Sequence, residues 1–471
     1  MNSNFLTEDF LLSTPVARRL YDGYARDAEI IDYHCHIDPA DLAADRRFEN
    51  LTQVWIANDP YKHRAMRIAG VPESHITGPA SDRQKFDAWA ATVPKLLGNA
   101  LHHWTALELD RYFGIATALA PDTADRIWDE ANAHLQETGW SARALLTQRR
   151  VACLCTSDRL LDDLAAHRRL AESGWPVSVL PSLRADDALA VDSDGYGAWV
   201  AKLGEAAGVA VRDFDSFRTA IVRRLDHFGG HGCRLADHAL DAFAYLGVPG
   251  RDTAALFERR LGGEPVGDAE QIRLQSGILR FLGNEYARRG WVLQLHLGAL
   301  RHTSTRLRRL AGPAGGYASL GQATDVAALC RFLDDLEQGD ALPTTVLYPL
   351  NPGDFAVLAN LEGSFTADGV PGRVQLGPAW WFNDHAWGIR AQLDATANYG
   401  LLSAFIGMTT DSRSLLSMVR HEYFRRTLCA WLGERTASGI FPEDEQALGA
   451  LVRDVAGANA RRVLNLRTFP R

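Results

Sequence analysis

The sequence predicts an α/β fold, a (β/α)8 TIM-like barrel interrupted by a large helical subdomain. Three observations carry that prediction. Eight short apolar or β-branched runs alternate with helical patterns, the signature of repeated β/α units around a parallel sheet. Several runs end in polar or ionisable residues, and barrel enzymes place their chemistry in the loops after the strands. More than a hundred residues separate the first run from the second, far beyond an ordinary crossover, so that stretch holds elements of its own.

The first run, 29–34, ends in two histidines spaced by one residue. Residues two apart in a strand point to the same side, so His34 and His36 present both imidazoles to one ion while Cys35 faces away. In isolation such a pair is equally well read as two hydrogen-bonded core histidines. Helical patterns follow at 52–69, 81–97, 102–113, 121–137 and 141–149, with cap residues at Ser81 and around Asp122. They form the expected inserted subdomain, 37–150, over the barrel mouth. Residues 1–36 supply an N-terminal helix and the first strand, and 151–471 the rest of the barrel.

The remaining strands are expected at 151–155, 177–181, 230–235, 291–296, 344–348, 372–376 and 404–408. Thr156 and Asp158, Arg184, Asp237, His296, Asn351, Trp380 and Asp411 fall at or near their ends. A second helical insertion is expected over 213–228 and 238–289, with helices at 252–262 and 267–289. The candidates at 230–235 and 404–408 are the weakest, because glycines interrupt one and the other is short.

Composition narrows the function. The 471 residues are 46% hydrophobic, enough for a substantial core, and no run approaches the roughly 18 apolar residues of a membrane span. The N-terminus lacks a basic region followed by an apolar one, so a soluble cytoplasmic protein of bacterial type is expected. Six scattered cysteines form no disulfide-like framework, and Cys153 and Cys155 read as small packing residues of a strand. A net charge of -8 without a basic tract argues against nucleic acid. An anionic small substrate is compatible with that charge only through a local arginine cluster.

Trp291-Val-Leu-Gln-Leu-His296 repeats the form of an apolar strand ending in histidine, and Gly407-Met-Thr-Thr-Asp411-Ser-Arg413 puts a carboxylate at the end of the eighth. This arrangement resembles the amidohydrolase superfamily. Longer stretches resemble one family, the uronate (glucuronate) isomerases. They include Asp32-Tyr-His-Cys-His36, Trp89-Ala-Ala-Thr-Val-Pro94, Gln294-Leu-His-Leu-Gly-Ala-Leu-Arg301, Trp380-Trp-Phe-Asn-Asp384, Thr410-Asp-Ser-Arg413 and Arg420-His-Glu-Tyr-Phe-Arg-Arg426. The likeness runs from Thr7 to the final helix.

The resemblance implies an aldose-ketose isomerase that interconverts D-glucuronate with D-fructuronate and D-galacturonate with D-tagaturonate. The reaction passes through an enediol with net movement of a proton from C2 to C1. It implies His34, His36 and Asp411 as ligands of a divalent metal, a donor set that suits zinc. Asp411 and Tyr61 are the implied catalytic pair. Arg184, Arg413, Asp237, Trp380 and His296 are the implied substrate contacts, arginine forks suiting a carboxylate and an aromatic face suiting sugar C–H groups; Trp381 is then expected in the core. The partner is a small hexuronate, with no nucleic acid and no membrane; a homo-oligomer is compatible with the sequence.

The pattern breaks in three places. The family histidine before the tyrosine is Pro60, which carries no side-chain donor, acceptor or proton. His63, two residues beyond Tyr61, belongs to a different helix face. Arg159 and Leu183 stand where the family has aspartate and tryptophan, which is expected to change pocket shape and charge. Two other readings compete: a metal-dependent hydrolase of a sugar-acid lactone or amide, and a non-catalytic uronate-binding relative. Arg184, Arg413 and Tyr61 favour the isomerase over the first, and the intact His34, His36 and Asp411 weigh against the second.

Overall fold

The computed structural model describes residues 5–247 and 250–466. Seven parallel strands form one curled sheet: β1 (Ile30–Asp32), β2 (Val151–Arg159), β3 (Ser178–Arg184), β4 (Leu235–Leu240), β5 (Val292–Leu297), β6 (Thr345–Pro349) and β7 (Val374–Leu376). They pair in that order with no strand out of sequence. Helices cover the outside, so both faces are buried and the strands read as nearly continuous apolar runs. In β5, Leu293, Leu295 and Leu297 face the helices while Gln294 and His296 alternate toward the barrel axis; all five are buried.

The eighth strand expected at 404–408 forms no ladder. Gly407, at φ 94°, turns the chain there, and a Cβ on it would sit 2.3 Å from the Val455 carbonyl oxygen. An extended segment fills the position and is tied in by individual bonds. Ile406 N–H donates to Gln375 Oε1 (2.8 Å), Tyr33 Oη to the Gly407 carbonyl (2.8 Å) and Asp411 N–H to the His34 carbonyl (3.0 Å). The barrel therefore closes through side chains and isolated backbone contacts.

Strand β4 lies about five residues later than the sequence suggests. The glycines at 229, 230 and 232 end the helix Phe214–Gly230 and turn the chain, and the strand starts at Leu235. Asp237 is therefore inside a strand, paired in register with Gln294 of β5 and Arg184 of β3. The helices expected at 252–262 and 267–289 are Gly250–Leu261 and Asp268–Arg288, so the segment expected to be helical from 238 begins as strand.

Between β1 and β2 the chain is helical. The single helix expected over 52–69 is two, Leu51–Trp55 and α1 (Pro60–Ile68), because proline disfavours helical backbone at the residue before it. Pro60 occupies the first position of α1, where its missing N–H costs nothing. Asp59 caps the helix, accepting from Tyr61 N–H (2.9 Å) and Lys62 N–H (3.2 Å). Beneath it the buried Lys62 ammonium lies 2.6 Å from Asp59 and 3.4 Å from Glu108 of α2 (Ala100–Phe113), which also accepts from the Trp55 indole at 2.6 Å. A buried cation with two carboxylates locks the start of α1 in place, since removing any partner strands an uncompensated charge. Among the described residues no helix is long and apolar enough to cross a membrane.

Candidate active site

The C-terminal ends of the strands open onto a cavity of about 380 Å³, within the usual size range for small-molecule sites. His34, His36, Tyr61, Arg184, His296, Trp380, Asp411 and Arg413 all line it. Asp237 does not, being fully buried behind Arg184.

His34 and His36 follow β1 with Cys35 buried between them on the other side. The register is set from the eighth position: His36 N–H donates to the Ser412 carbonyl (2.8 Å) and His34 N–H to Thr409 Oγ1 (2.8 Å). Asp32, also fully buried, staples the same two segments, accepting from Thr409 Oγ1 (2.6 Å), Thr410 N–H (2.8 Å) and Thr410 Oγ1 (2.5 Å). Sequence reasoning quoted Asp32 within the motif but gave it no role.

Asp411 sits at φ 49°, a region a non-glycine residue adopts only when its surroundings enforce it. Its Oδ1 lies 3.0 Å from His36 Nε2 and 3.4 Å from His34 Nε2, and its Oδ2 accepts from the Trp380 indole N–H at 2.7 Å. Burial alone would raise the Asp411 carboxyl, but the two imidazoles hold it well below the usual carboxylate range. Burial pushes His36 down, and pushes His296 well down with help from His34 and Arg184, so both rings are neutral.

Two overlapping triples have donor atoms within 4.8 Å of one another: His34, His36 and Asp411, and His34, Asp237 and His296. Both ring nitrogens of His296 and the Nδ1 of His34 are buried without a hydrogen-bond partner, and His34 Nε2 has only the 3.4 Å approach of Asp411 Oδ1. Buried polar atoms are normally satisfied, and under-satisfied imidazoles beside carboxylates are what a divalent-metal site presents.

Trp380 packs on His296 with ring centroids 4.7 Å apart, so its N–H orients Asp411 while its face lines the cavity. Trp381, expected in the core, instead lines the cavity beside it, at φ 51° and half-buried. Tyr61 enters from the first turn of α1. Its hydroxyl is buried without a hydrogen-bond partner. Burial, then the Asp411 charge, pushes the phenol well above its ordinary range, while the Arg420 guanidinium, 5.2 Å from the ring centroid, opposes this.

Arg184 is held by Asp237 (2.5 Å) and, more loosely, Asp186 (3.6 Å). Arg413 and Arg159 are exposed at the cavity with no charged side-chain partner among the described residues. Leu183 is fully buried in the core and forms no part of the wall, so of those two departures only Arg159 alters the cavity. His63 is buried with Nε2 2.9 Å from the Ile56 carbonyl, and does not replace the missing histidine. The loop after β5 covers Pro60 instead. Gly316, at φ 80°, approaches so closely that a Cβ would lie 2.2 Å from the Pro60 carbonyl oxygen, and Arg64 of α1 donates to the Ala318 carbonyl at 2.7 Å.

A parallel barrel with a His-x-His pair after its first strand and an aspartate at its eighth position is an enzyme scaffold of the amidohydrolase type. The glucuronate isomerase family profile matches residues 1–464, and the chain belongs to that family: it is an aldose-ketose isomerase of uronates. It is similar to the uronate isomerase of Thermotoga maritima, at 32% identity and TM-score 0.92 over 98% of this chain and 99% of that one. The fold recurs in the glucuronate isomerase of Caulobacter crescentus (24% identity, TM-score 0.91, 99% and 98% covered). It recurs more distantly in the uronate isomerase of Bacillus halodurans (14%, 0.67, 98% and 97%).

Proposed function

We propose that the chain interconverts D-glucuronate with D-fructuronate, and D-galacturonate with D-tagaturonate, through a cis-enediol formed in this cavity. The observation that carries the reading is the convergence of an ionised carboxylate, a neutral buried phenol and unpaired guanidiniums on one space.

The open-chain aldehyde lies between Asp411 and Tyr61. Asp411 takes the C2 proton and returns it to C1, while the O2 proton passes to O1 by way of the Tyr61 hydroxyl; the C2 hydroxyl becomes a ketone and the aldehyde a primary alcohol, so no external oxidant is involved. A phenol kept neutral donates to the sugar oxygen on which charge develops, where a fixed donor is worth most. Arg413 anchors the distal carboxylate with its free fork. Arg184, already neutralised by Asp237, serves hydroxyl oxygens, and Asp237 fixes its orientation. Trp380 and Trp381 form the apolar wall, and His296 completes the polar floor. His34, His36 and Asp411 would hold a divalent ion, which we assign as zinc and which would supply Lewis acidity toward the sugar oxygens when bound. The helices over 37–150 act as the subdomain that delivers Tyr61 and shields the reaction from water.

Tyr61→Phe tests this reading. A hundredfold or greater fall in kcat is expected, on the order of general-acid contributions, with KM little changed. Exchange of the C2 proton with solvent deuterium should slow in parallel. Full turnover by a folded Tyr61→Phe would remove the phenol from the mechanism.

A further inference from the structure

At the opposite end of β1 and β2 lies a second, larger cavity of about 520 Å³ that the isomerase chemistry does not use. It opens where the chain enters β1 at Ala28–Ile30 and β2 at Arg150. The residues from 28 to His34 span about 20 Å of extended chain, so this cavity is on the far side of the barrel from the metal ligands.

Its lining is dominated by arginines drawn from four separated stretches of sequence: Arg26, Arg111, Arg149, Arg150, Arg425 and Arg426. Against these six stand four carboxylates, Glu8, Asp27, Asp110 and Glu422. Arg150 pairs with Asp27 at 2.5 Å, and Arg26 turns away to Asp22. Glu422 serves three guanidiniums at once: Arg426 (2.9 Å), Arg111 (3.0 Å) and Arg149 (3.3 Å). Arg111 has Asp110 as well.

Among the described residues Arg425 pairs with no carboxylate. Only 4% exposed, it donates to the carbonyls of Ala28 (2.8 Å), Glu29 (2.8 Å) and Ala456 (3.0 Å), and its Nε is buried without a partner. The Nε of Arg149 is likewise buried and unpartnered. Burial lowers Arg425 to about 10, as expected of a cation held away from water without a counter-charge. Buried guanidiniums are ordinarily paired with a carboxylate, and two unpartnered Nε–H groups beside a polar cavity have a natural partner in an oxyanion.

We propose that this cavity binds a phosphate group, as free phosphate or a small phosphate ester, between Arg149 and Arg425. A tetrahedral oxyanion suits the place better than a single carboxylate, because guanidiniums reach the cavity from several directions and each can take a separate oxygen. Binding would join the entry of β1 to the helix Val419–Ala437 and stabilise the fold by mass action.

The test is calorimetric titration of the full-length protein with inorganic phosphate and, separately, glucose 6-phosphate, against potassium chloride at matched ionic strength. Saturating D-glucuronate is kept present to occupy the isomerase cavity. One phosphate per chain is expected, with affinity at least about tenfold weaker in Arg149→Gln and unchanged in Arg413→Gln. Tighter binding of the ester would assign the extra cavity volume to its sugar. No saturable heat from either probe with the wild-type protein would overturn the proposal without reference to any variant. So would phosphate binding to the wild-type protein that is present without D-glucuronate and displaced by it, which would place the anion in the isomerase cavity.

Discussion

Replacing Trp380 by Phe tests how the site orients its carboxylate. The indole N–H reaches Asp411 Oδ2 at 2.7 Å, and with 4% of the residue exposed no solvent substitutes for it. A hydrogen bond to a charged group is worth roughly 1.5–3 kcal/mol. If that contribution is expressed in the transition state, its loss lowers kcat about ten- to hundredfold. Phenylalanine keeps an aromatic face against His296, so substrate binding should change little and KM should stay near the wild-type value. The smaller ring leaves a gap that costs about 1–3 kcal/mol of stability, readable as a lowered denaturant midpoint. Initial rates of ketose formation from D-glucuronate, taken where both proteins are fully folded, give the comparison. A Trp380→Phe enzyme turning over within about twofold of wild type would refute the claim that this donor positions Asp411.

Asp32→Asn should weaken the staple between β1 and the eighth position by roughly 2–3 kcal/mol in urea unfolding, because one amide oxygen replaces a carboxylate accepting three bonds. Activity should fall with it, since His34 and Asp411 are held in register by that carboxylate; unchanged stability would argue against the staple. Acid should destabilise the protein through Glu422. Burial opposes its ionisation, but Arg111, Arg426 and Arg149 hold its folded value at about 2, against 4.5 when unperturbed. A depressed folded value gives stability that is fully present above the unfolded value and lost as pH falls from about 4.5 toward 2, on the order of 3 kcal/mol in all. Glu422→Gln should flatten unfolding free energy across that window, and an undiminished slope would assign the acid sensitivity elsewhere.

The residues that meet at the cavity were legible because their signals are local. His34 and His36 follow from a period-two spacing after an apolar run, and His296 and Asp411 from polar residues at later strand ends. What the sequence obscured depends on contacts between distant segments. The eighth strand reads as a β run, yet Gly407 must turn where the chain meets Val455, 48 residues on in sequence, so no ladder forms. Strand β4 is hidden in the sequence because its apolar stretch carries Asp237 and His238, whose polarity masks a strand with one face toward the barrel axis. The break before Pro60 has a readable signal in the proline itself, which sets Tyr61 in a first helical turn. Asp32 and Trp380 orient the site through side-chain bonds to residues far off in the chain, and no spacing rule announces such partners. The same holds for Gly316, whose approach to Pro60 joins the start of α1 to a loop 256 residues on.

The central claim is that Asp411 moves a proton from C2 to C1 of a hexuronate within this cavity. It is tested most directly by 13C NMR of D-[1-13C]glucuronate incubated in D2O with the wild-type enzyme and with folded Asp411→Asn. With the wild-type enzyme the labelled aldehyde carbon should become the labelled primary-alcohol carbon of D-fructuronate, and the conversion should be lost in Asp411→Asn. Undiminished conversion by Asp411→Asn, or a wild-type enzyme that leaves C1 an aldehyde, would contradict it.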